Sequence, residues 1–292
     1  MKVIILKQRF IGIAALAVIS AYGAAATYAP IEISAIEELQ QIGNNAAFPL
    51  NGYYILTQDI DASQTANWNN GEGFLPIGQR FDEEDDALAF RGWFDGQGHV
   101  IRGLFVNRPD DHGVGLFRSI GSSAVVVNVG LEGGSISGKH YVGALAGANW
   151  SEEVVACYAS VAVNGISRIG GLAGINRGVI DASYATGTVS GYEFVGGLVG
   201  RNYEGIVQEC YAAGPVSGVS RVGGLVGQTV EGAVYDSFWD IVVSGRNVSD
   251  GGQGLTTDEA MRRDAYRQAG WDLHGLWRVM PGRSYPRFYY QR

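Results

Sequence analysis

Hydrophobic residues and glycines recur through the middle of the chain with one long period. The phrase Val-Gly-Gly-Leu-Val-Gly and its close variants begin at four positions that lie 26 or 27 residues apart: Val142, Ile169, Val195 and Val222. A second phrase, in which an aromatic residue follows Cys or Ser, recurs in phase with the first: 156–159, 182–185, 209–212 and 236–239. Two phrases that share one period indicate a structural repeat rather than chance similarity.

The period decides the kind of repeat. Each unit contains several glycines and no uninterrupted amphipathic stretch, so a helical solenoid is excluded. A β-propeller blade needs about 40 residues, whereas one coil of a β-helix closes in about 20 to 30. The sequence therefore predicts an all-β fold, a single-stranded right-handed parallel β-helix of 26–27 residues per coil. Equivalent residues of successive coils should form ladders about 4.8 Å apart.

Two ladders are predicted to be structural. Asn149, Asn176 and Asn202 stand seven residues after the start of their phrases, where side-chain amides can tie one coil to the next. Cys157 and Cys210 occupy the same repeat position two coils apart. Because side chains alternate between the two faces of a strand, this position should point into the interior. Their α-carbons should then be about 9.6 Å apart, beyond the reach of a disulfide, so we expect free buried thiols.

The aromatic residues of the second phrase form the candidate binding site. If the neighbouring Cys and Ala residues point inward, the aromatic rings point outward and form a column with one ring per coil: Tyr158, Tyr184, Tyr211 and Phe238. An exposed column could bind sugar rings or a protein partner. The alternative is an aromatic ladder packed beneath another segment. Arg168 and Arg221, just before their phrases, are expected to be solvated charges.

The ends of the β-helix should carry short capping helices, because unpaired strand edges need cover. Ser34 and Glu37 have the spacing of a capping box before a helix over 37–42, and Thr256 and Glu259 repeat it before a helix that Gly270 ends. The expected organisation has four parts: a signal peptide at 1–26, an N-terminal cap with irregular first coils at 27–110, the repeats at 111–245, and a C-terminal capping helix with an aromatic tail at 246–292.

The start of the chain predicts export. Lys2, Lys7 and Arg9 precede a short apolar stretch and three alanines at 24–26, as in a cleaved signal peptide. Removing this segment takes the formal charge from −8 to −11. An acidic exported protein is a poor candidate for nucleic-acid binding. No later segment has the length and hydrophobicity of a transmembrane helix, so we expect a secreted or cell-surface protein.

The repeated phrase resembles the GLUG motif of bacterial secreted and surface proteins. The flanking phrases Phe94-Asp-Gly-Gln-Gly-His99, Ser237-Phe-Trp-Asp240 and Gly254-Leu-Thr-Thr257 are similar to those that accompany it. Such repeats occur in adhesins, haemagglutinin-like proteins and the non-catalytic parts of IgA-cleaving metallopeptidases. The resemblance implies a passive binding module, and this sequence contains no peptidase domain like that of the last group.

Catalytic chemistry finds little support in the sequence. None of the four histidines begins a His-Glu-x-x-His zinc motif, and no Gly-x-Ser-x-Gly phrase stands between a strand and a helix. Acidic residues crowd only at 82–86, a solvated loop or a weak calcium site, and at 110–112, expected in a turn. No catalytic residue, metal site or cofactor is predicted.

The sequence thus favours a secreted or cell-surface, adhesin-like β-helix that binds a glycan or a host surface protein without catalysis. Two alternatives stay open: a β-helical polysaccharide lyase or hydrolase, and a structural spacer in an envelope assembly. Convergent carboxylates and arginines would favour the enzyme, and an exposed aromatic column would favour binding.

Overall fold

Successive coils pair in parallel with the offset that the sequence period requires. Val142 lies opposite Ile169, Ile169 opposite Val195, and Val195 opposite Val222. The computed structural model describes residues 29–79 and 88–291, and these form a parallel β-solenoid as predicted. The expected signal peptide at 1–26 and the acidic residues at 82–86 lie outside the described residues.

Three sheets, here named A, B and C, run along the solenoid. Sheet A contains eight strands: Ile31–Ile33, Tyr53–Leu56, Trp93–Asp95, Val125–Val127, Glu153–Val155, Val179–Asp181, Ile206–Gln208 and Ala233–Tyr235. Sheet C contains five: Phe117–Ile120, Ala146–Asn149, Ala173–Asn176, Val199–Tyr203 and Val226–Val230. Both sheets thus take one strand from each repeat.

Sheet B is the largest, with fourteen strands, of which a single coil contributes up to three. They are Ile60–Asp61, Val100–Arg102, Phe105–Val114, Gly130–Gly143, Tyr158–Asn164, Ser167–Gly170, Tyr184–Ala185, Val189–Ser190, Glu193–Gly196, Tyr211–Ala212, Val216–Ser217, Ser220–Gly223, Phe238–Asp240 and Gln253–Leu255. Residues 110–112, expected in a turn, instead lie within the strand Phe105–Val114. A separate antiparallel pair joins Trp277–Arg278 to Arg287–Phe288.

Short helices lie at both ends. They are α1 (Ile36–Gln41), α2 (Ile241–Ser244), α3 (Thr257–Ala260) and α4 (Asp264–Gln268), with 3-10 turns at Ser63–Asn67 and Asn69–Gly71. The N-terminal capping box uses Glu38 rather than Glu37, because the Glu38 carboxylate accepts from the Ser34 backbone N–H at 2.6 Å. The Thr256 and Glu259 box is present as predicted. The single helix expected up to Gly270 is divided into α3 and α4.

The repeated phrase makes each coil thin. Its leucines fill the interior, and Leu172, Leu198 and Leu225 are fully buried. Its last glycine, in sheet C, lies against the backbone of sheet B, where a Cβ at Gly200 would stand 2.5 Å from the backbone nitrogen of Ile169. Only glycine allows the strands of sheets B and C to approach this closely.

The predicted asparagine ladder is confirmed. The Asn149 amide donates to Asn176 Oδ1 at 2.8 Å, and the Asn176 amide donates to Asn202 Oδ1 at 2.9 Å. All three side chains are almost completely buried, so these bonds hold coils together where water cannot replace them. Cys157 and Cys210 are buried free thiols, also as predicted.

A cluster of carboxylates lies at the corner between sheets A and B. Glu209 stands at this corner in the left-handed region with φ 49°, near Asp181, Asp236 and Asp272. Burial, and then repulsion by the three aspartates, raises the pKa of Glu209 to about 7. Burial likewise raises the pKa of Asp181. Ionisation of Glu209 therefore destabilises the folded chain.

The pH dependence of unfolding should report this repulsion. The folded-state pKa of Glu209, about 7, lies above its ordinary value of 4.5. The folded state therefore binds more protons than the unfolded state between these values, and its stability falls as pH rises through that window. Replacing Glu209 with Gln should raise the free energy of unfolding, and this gain should be roughly 2 kcal/mol larger at pH 8 than at pH 4.

Urea unfolding of wild type and Glu209→Gln at pH 4, 6 and 8 measures this effect. The matched control is Glu231→Gln, which removes an exposed carboxylate one coil further along. If the two variants shift stability equally at every pH, the electrostatic account of the corner is wrong.

Candidate functional site

The predicted aromatic column exists, but it lies beneath another segment. Tyr158, Tyr184, Tyr211 and Phe238 are in register on sheet B and point away from the solenoid interior. The three tyrosine rings are stacked, with centroids 4.9 and 4.7 Å apart. All four side chains are only 3–5% exposed, so the expected free surface is not present.

The C-terminal segment, residues 271–291, covers the column. Trp277 and Phe288 pack against the Tyr184 ring, with centroids 6.1 and 5.5 Å away. The Tyr290 hydroxyl donates to the Ala156 carbonyl at 2.8 Å, and the Gln291 amide donates to the Tyr184 hydroxyl at 2.7 Å. The aromatic tail thus runs back over the repeats, rather than sealing only the last coil. Ligand binding by this column would require the segment to move.

A second set of aromatic rings lies on the outside of the solenoid, where the ends of sheet B strands meet sheet C. Three ladders meet there, each with one residue per coil. The first ladder stands one residue before the repeated phrase and consists of Tyr141, Arg168, Phe194 and Arg221. The second stands six residues after the start of the phrase and consists of Ala148, Ile175, Arg201 and Gln228. The third stands eight residues after it and consists of Trp150, Arg177, Tyr203 and Val230. The arginines and aromatic residues of these ladders are named the arginine–aromatic face: Tyr141, Trp150, Arg168, Arg177, Phe194, Arg201, Tyr203 and Arg221.

Backbone geometry brings the first ladder beside the other two. A Cβ at Gly174 would lie 2.5 Å from the backbone carbonyl carbon of Tyr141, because the corner of one coil rests on this glycine of the next. The corner residues take the left-handed conformation, with φ 58° at Tyr141 and 53° at Phe194. Gly113 occupies the same corner one coil earlier. Bulky residues rarely adopt this conformation.

Arginines and rings alternate along the face. The Arg168 guanidinium lies 4.7 Å from the Tyr141 ring centroid and 5.4 Å from that of Phe194. Arg177 lies 4.7 Å and Arg201 5.2 Å from the ring of Tyr203. These distances are those of cation–π contacts. Arg168 is partly buried and packed between rings, rather than a solvated edge charge as expected.

Three of the guanidinium groups have no polar partner in the described part of the chain. The Nε atoms of Arg168, Arg177 and Arg201 are buried without a hydrogen bond, and none of the three forms an ion pair with residues 29–79 or 88–291. Arg221 differs, because it pairs with Glu193. A guanidinium group has five N–H donors, so the face presents unused hydrogen-bonding capacity.

The charge distribution singles out the same face. Every arginine between residues 119 and 245 belongs to it, in a chain whose formal charge is −8. The sequence could have indicated this concentration, because Arg168 and Arg221 share one position relative to the phrase. The alternation with Tyr141 and Phe194 conceals it, since no single residue type recurs in every coil.

The acidic candidates do not join the arginine–aromatic face. Asp111 lies 3.9 Å from Arg108 and 3.8 Å from Arg118, and His112 packs against His140 with ring centroids 4.8 Å apart. The Glu209 cluster lies at the corner of sheets A and B, away from sheet C. Within the described residues, no group of three or more His, Cys, Asp and Glu side chains is placed to hold a metal ion.

Comparison with known proteins gives partial relatives. No family model matches the sequence, so the GLUG resemblance stays a prediction. Halomucin of Haloquadratum walsbyi is 39% identical over 148 residues, which are 50% of this chain and 2% of halomucin. A candidate Gly-rich membrane protein of Evansella cellulosilytica is 36% identical over 119 residues, 39% of this chain and 13% of that protein. The chain therefore spans a small part of each of these relatives.

One solved structure has the same fold. A candidate immunoglobulin A1 protease from Bacteroides ovatus superposes with a TM-score of 0.68 at 19% identity. The match covers 90% of this chain and 93% of that chain. At this identity the likeness establishes a shared β-solenoid and nothing about activity.

Across residues 29–79 and 88–291, no helix has both the length and the hydrophobicity needed to span a bilayer.

The aromatic column should act as the attachment site of the C-terminal segment. Tyr184→Ala removes the ring between Tyr158 and Tyr211 and opens a cavity beneath Phe288. We expect a loss of about 3–5 kcal/mol in stability and faster tryptic cleavage between residues 278 and 287. Limited proteolysis followed by mass spectrometry measures this. Tyr192→Ala is the control, because Tyr192 is 59% exposed; equal cleavage of both variants would contradict the attachment.

Proposed function

We propose that this chain is an exported, non-catalytic binding protein that recognises a glycan through the arginine–aromatic face. The observation that carries the proposal is the combination of partly exposed rings and arginines without polar partners where sheets B and C meet. Trp150, Phe194 and Tyr203 are all partly exposed on this face. Aromatic rings offer apolar surface to sugar rings, and arginine edges donate hydrogen bonds to their oxygens.

The separation of acids from arginines supports binding over glycan cleavage. A glycosidase places two carboxyl groups about 5–9.5 Å apart on either side of the scissile bond. The arginine–aromatic face instead presents rings and guanidinium groups, and the neighbouring Glu193 is engaged by Arg221. The acids around Glu209 lie on another side of the solenoid. A polysaccharide lyase or hydrolase is the alternative that the experiment below tests directly.

Export to the cell surface or the medium completes the proposal. The basic and apolar start of the chain supports it, as does the partial similarity to a mucin-named protein and to a membrane protein. Adhesion to a host or neighbouring cell is the use that a repetitive glycan-binding surface would serve. A structural spacer in an envelope assembly would make no use of the unpartnered guanidinium groups.

A glycan array of residues 27–292, which contain every described element, tests the proposal. We expect selective binding by the wild-type protein and a loss of about tenfold or more in a Trp150→Ala, Tyr203→Ala variant, because central aromatic residues dominate most binding surfaces. The matched control is Tyr235→Ala, Tyr289→Ala, which removes two rings that are 51% and 48% exposed and lie on sheet A and in the C-terminal segment.

Any polysaccharide that binds is incubated with the protein, and the products are analysed for chain cleavage. Cleavage would overturn the non-catalytic assignment in favour of a lyase or hydrolase. Absence of binding to every glycan would overturn glycan recognition and favour the structural spacer.

A further inference from the structure

We infer that the ligand of the arginine–aromatic face is a polyanionic glycan, whose carboxylate or sulfate groups bind the edges of Arg168, Arg177 and Arg201. This inference rests on the proposed function and adds the chemical class of the ligand. It follows from which parts of the three guanidinium groups are already used, from the charge of the rest of the chain, and from the positions of the rings.

The guanidinium groups contact rings and keep their terminal N–H donors unpaired. Arg168 packs against Tyr141 and Phe194, and Arg177 against Tyr203, through cation–π contacts. The Nε atoms of Arg168, Arg177 and Arg201 are buried, whereas their terminal Nη atoms are not among the buried groups without a partner. A planar fork of donors matches the two oxygens of a carboxylate or sulfate, and Arg binds such groups bidentately. The rings thus hold the arginines in position for an oxyanion.

The acidic character of the chain makes this local concentration of cations informative. A protein with a formal charge of −8 repels polyanions over most of its surface. On this face, within the described residues, Arg168, Arg177 and Arg201 have no carboxylate within ion-pair distance. Arg221 pairs with Glu193, so it is not one of the arginines that lack a carboxylate partner.

The ladders indicate a chain-like ligand. Arg168 and Arg177 belong to one coil and Arg201 to the next, while Trp150 and Tyr203 stand on the coils at either side of Arg177. Three coils span about 10 Å along the axis. A polymer that lies along the axis can place sugar rings on the aromatic residues and its anionic groups on the arginines.

The repeats themselves supply conservative variants for a test. Arg168 occupies the position of Tyr141, Arg177 that of Tyr203, and Arg201 that of Gln228. The variant Arg168→Tyr, Arg177→Tyr, Arg201→Gln therefore removes three cations with residues that neighbouring coils already hold there. The control Arg262→Gln, Arg267→Gln, Arg283→Gln removes three exposed arginines from the C-terminal region and changes the net charge equally.

The probes are dextran, carboxymethyl-dextran and dextran sulfate, which share one backbone and differ in charge. Affinity is measured by biolayer interferometry at two salt concentrations, and circular dichroism confirms that both variants are folded. We expect binding to at least one anionic dextran, weaker binding at high salt, and no binding to dextran. The face variant should lose about tenfold or more in affinity, and the control variant should not.

The two charged probes distinguish carboxylate from sulfate recognition. Equal loss in both variants would overturn the inference, because it would show attraction by net charge alone. Glycan-array binding confined to neutral glycans would overturn the inference while leaving the proposed function standing. Failure to bind any glycan, neutral or charged, would overturn both.

Discussion

The register between coils is the constraint on which the rest of the structure depends. The coils that begin at Val142, Ile169, Val195 and Val222 pair at offsets of 26 or 27 residues, so a residue in one of them fixes the position of its equivalents in the others. The glycines of the repeated phrase maintain this register, because a side chain at Gly170 or Gly174 would collide with backbone. The buried amides of Asn149, Asn176 and Asn202 add hydrogen bonds in the same direction.

The same register yields two aromatic arrays with different uses. On sheet B the same residue type stacks on itself, and the rings of Tyr158, Tyr184 and Tyr211 attach the C-terminal segment. Where sheets B and C meet, aromatic residues alternate with arginines, and no described segment covers them. Stacked identical rings suit a dry interface. Alternating rings and cations combine apolar surface with unpaired N–H donors, which suits a ligand that carries charge.

The sequence predicted those structural features in which the same type of residue recurs at the same position of each repeat. The asparagine ladder, the inward thiols and the aromatic column follow in this way, and the period gave the fold. The cover over Tyr184 could not be predicted, because residues 271–291 have no periodic partner that shows where they pack. The residue types of the arginine–aromatic face change from coil to coil, so the sequence does not reveal it, and the position of Arg168 alone predicts a solvated charge. At the N-terminal cap, the helix takes Ala35 rather than Ser34 as its N-cap residue, so the glutamate three residues later is Glu38.

Hydroxyl-radical footprinting of the protein, free and bound to dextran sulfate, tests the central claim most directly, since it reads the solvent access of individual rings. The account predicts that oxidation of Trp150, Phe194 and Tyr203 falls on binding. Tyr184 and Tyr211 should resist oxidation in both states, because they are 5% and 3% exposed. If the tyrosines of the aromatic column react in the free protein and become protected on binding, while the rings of the arginine–aromatic face do not change, then the ligand binds the column and the account is contradicted.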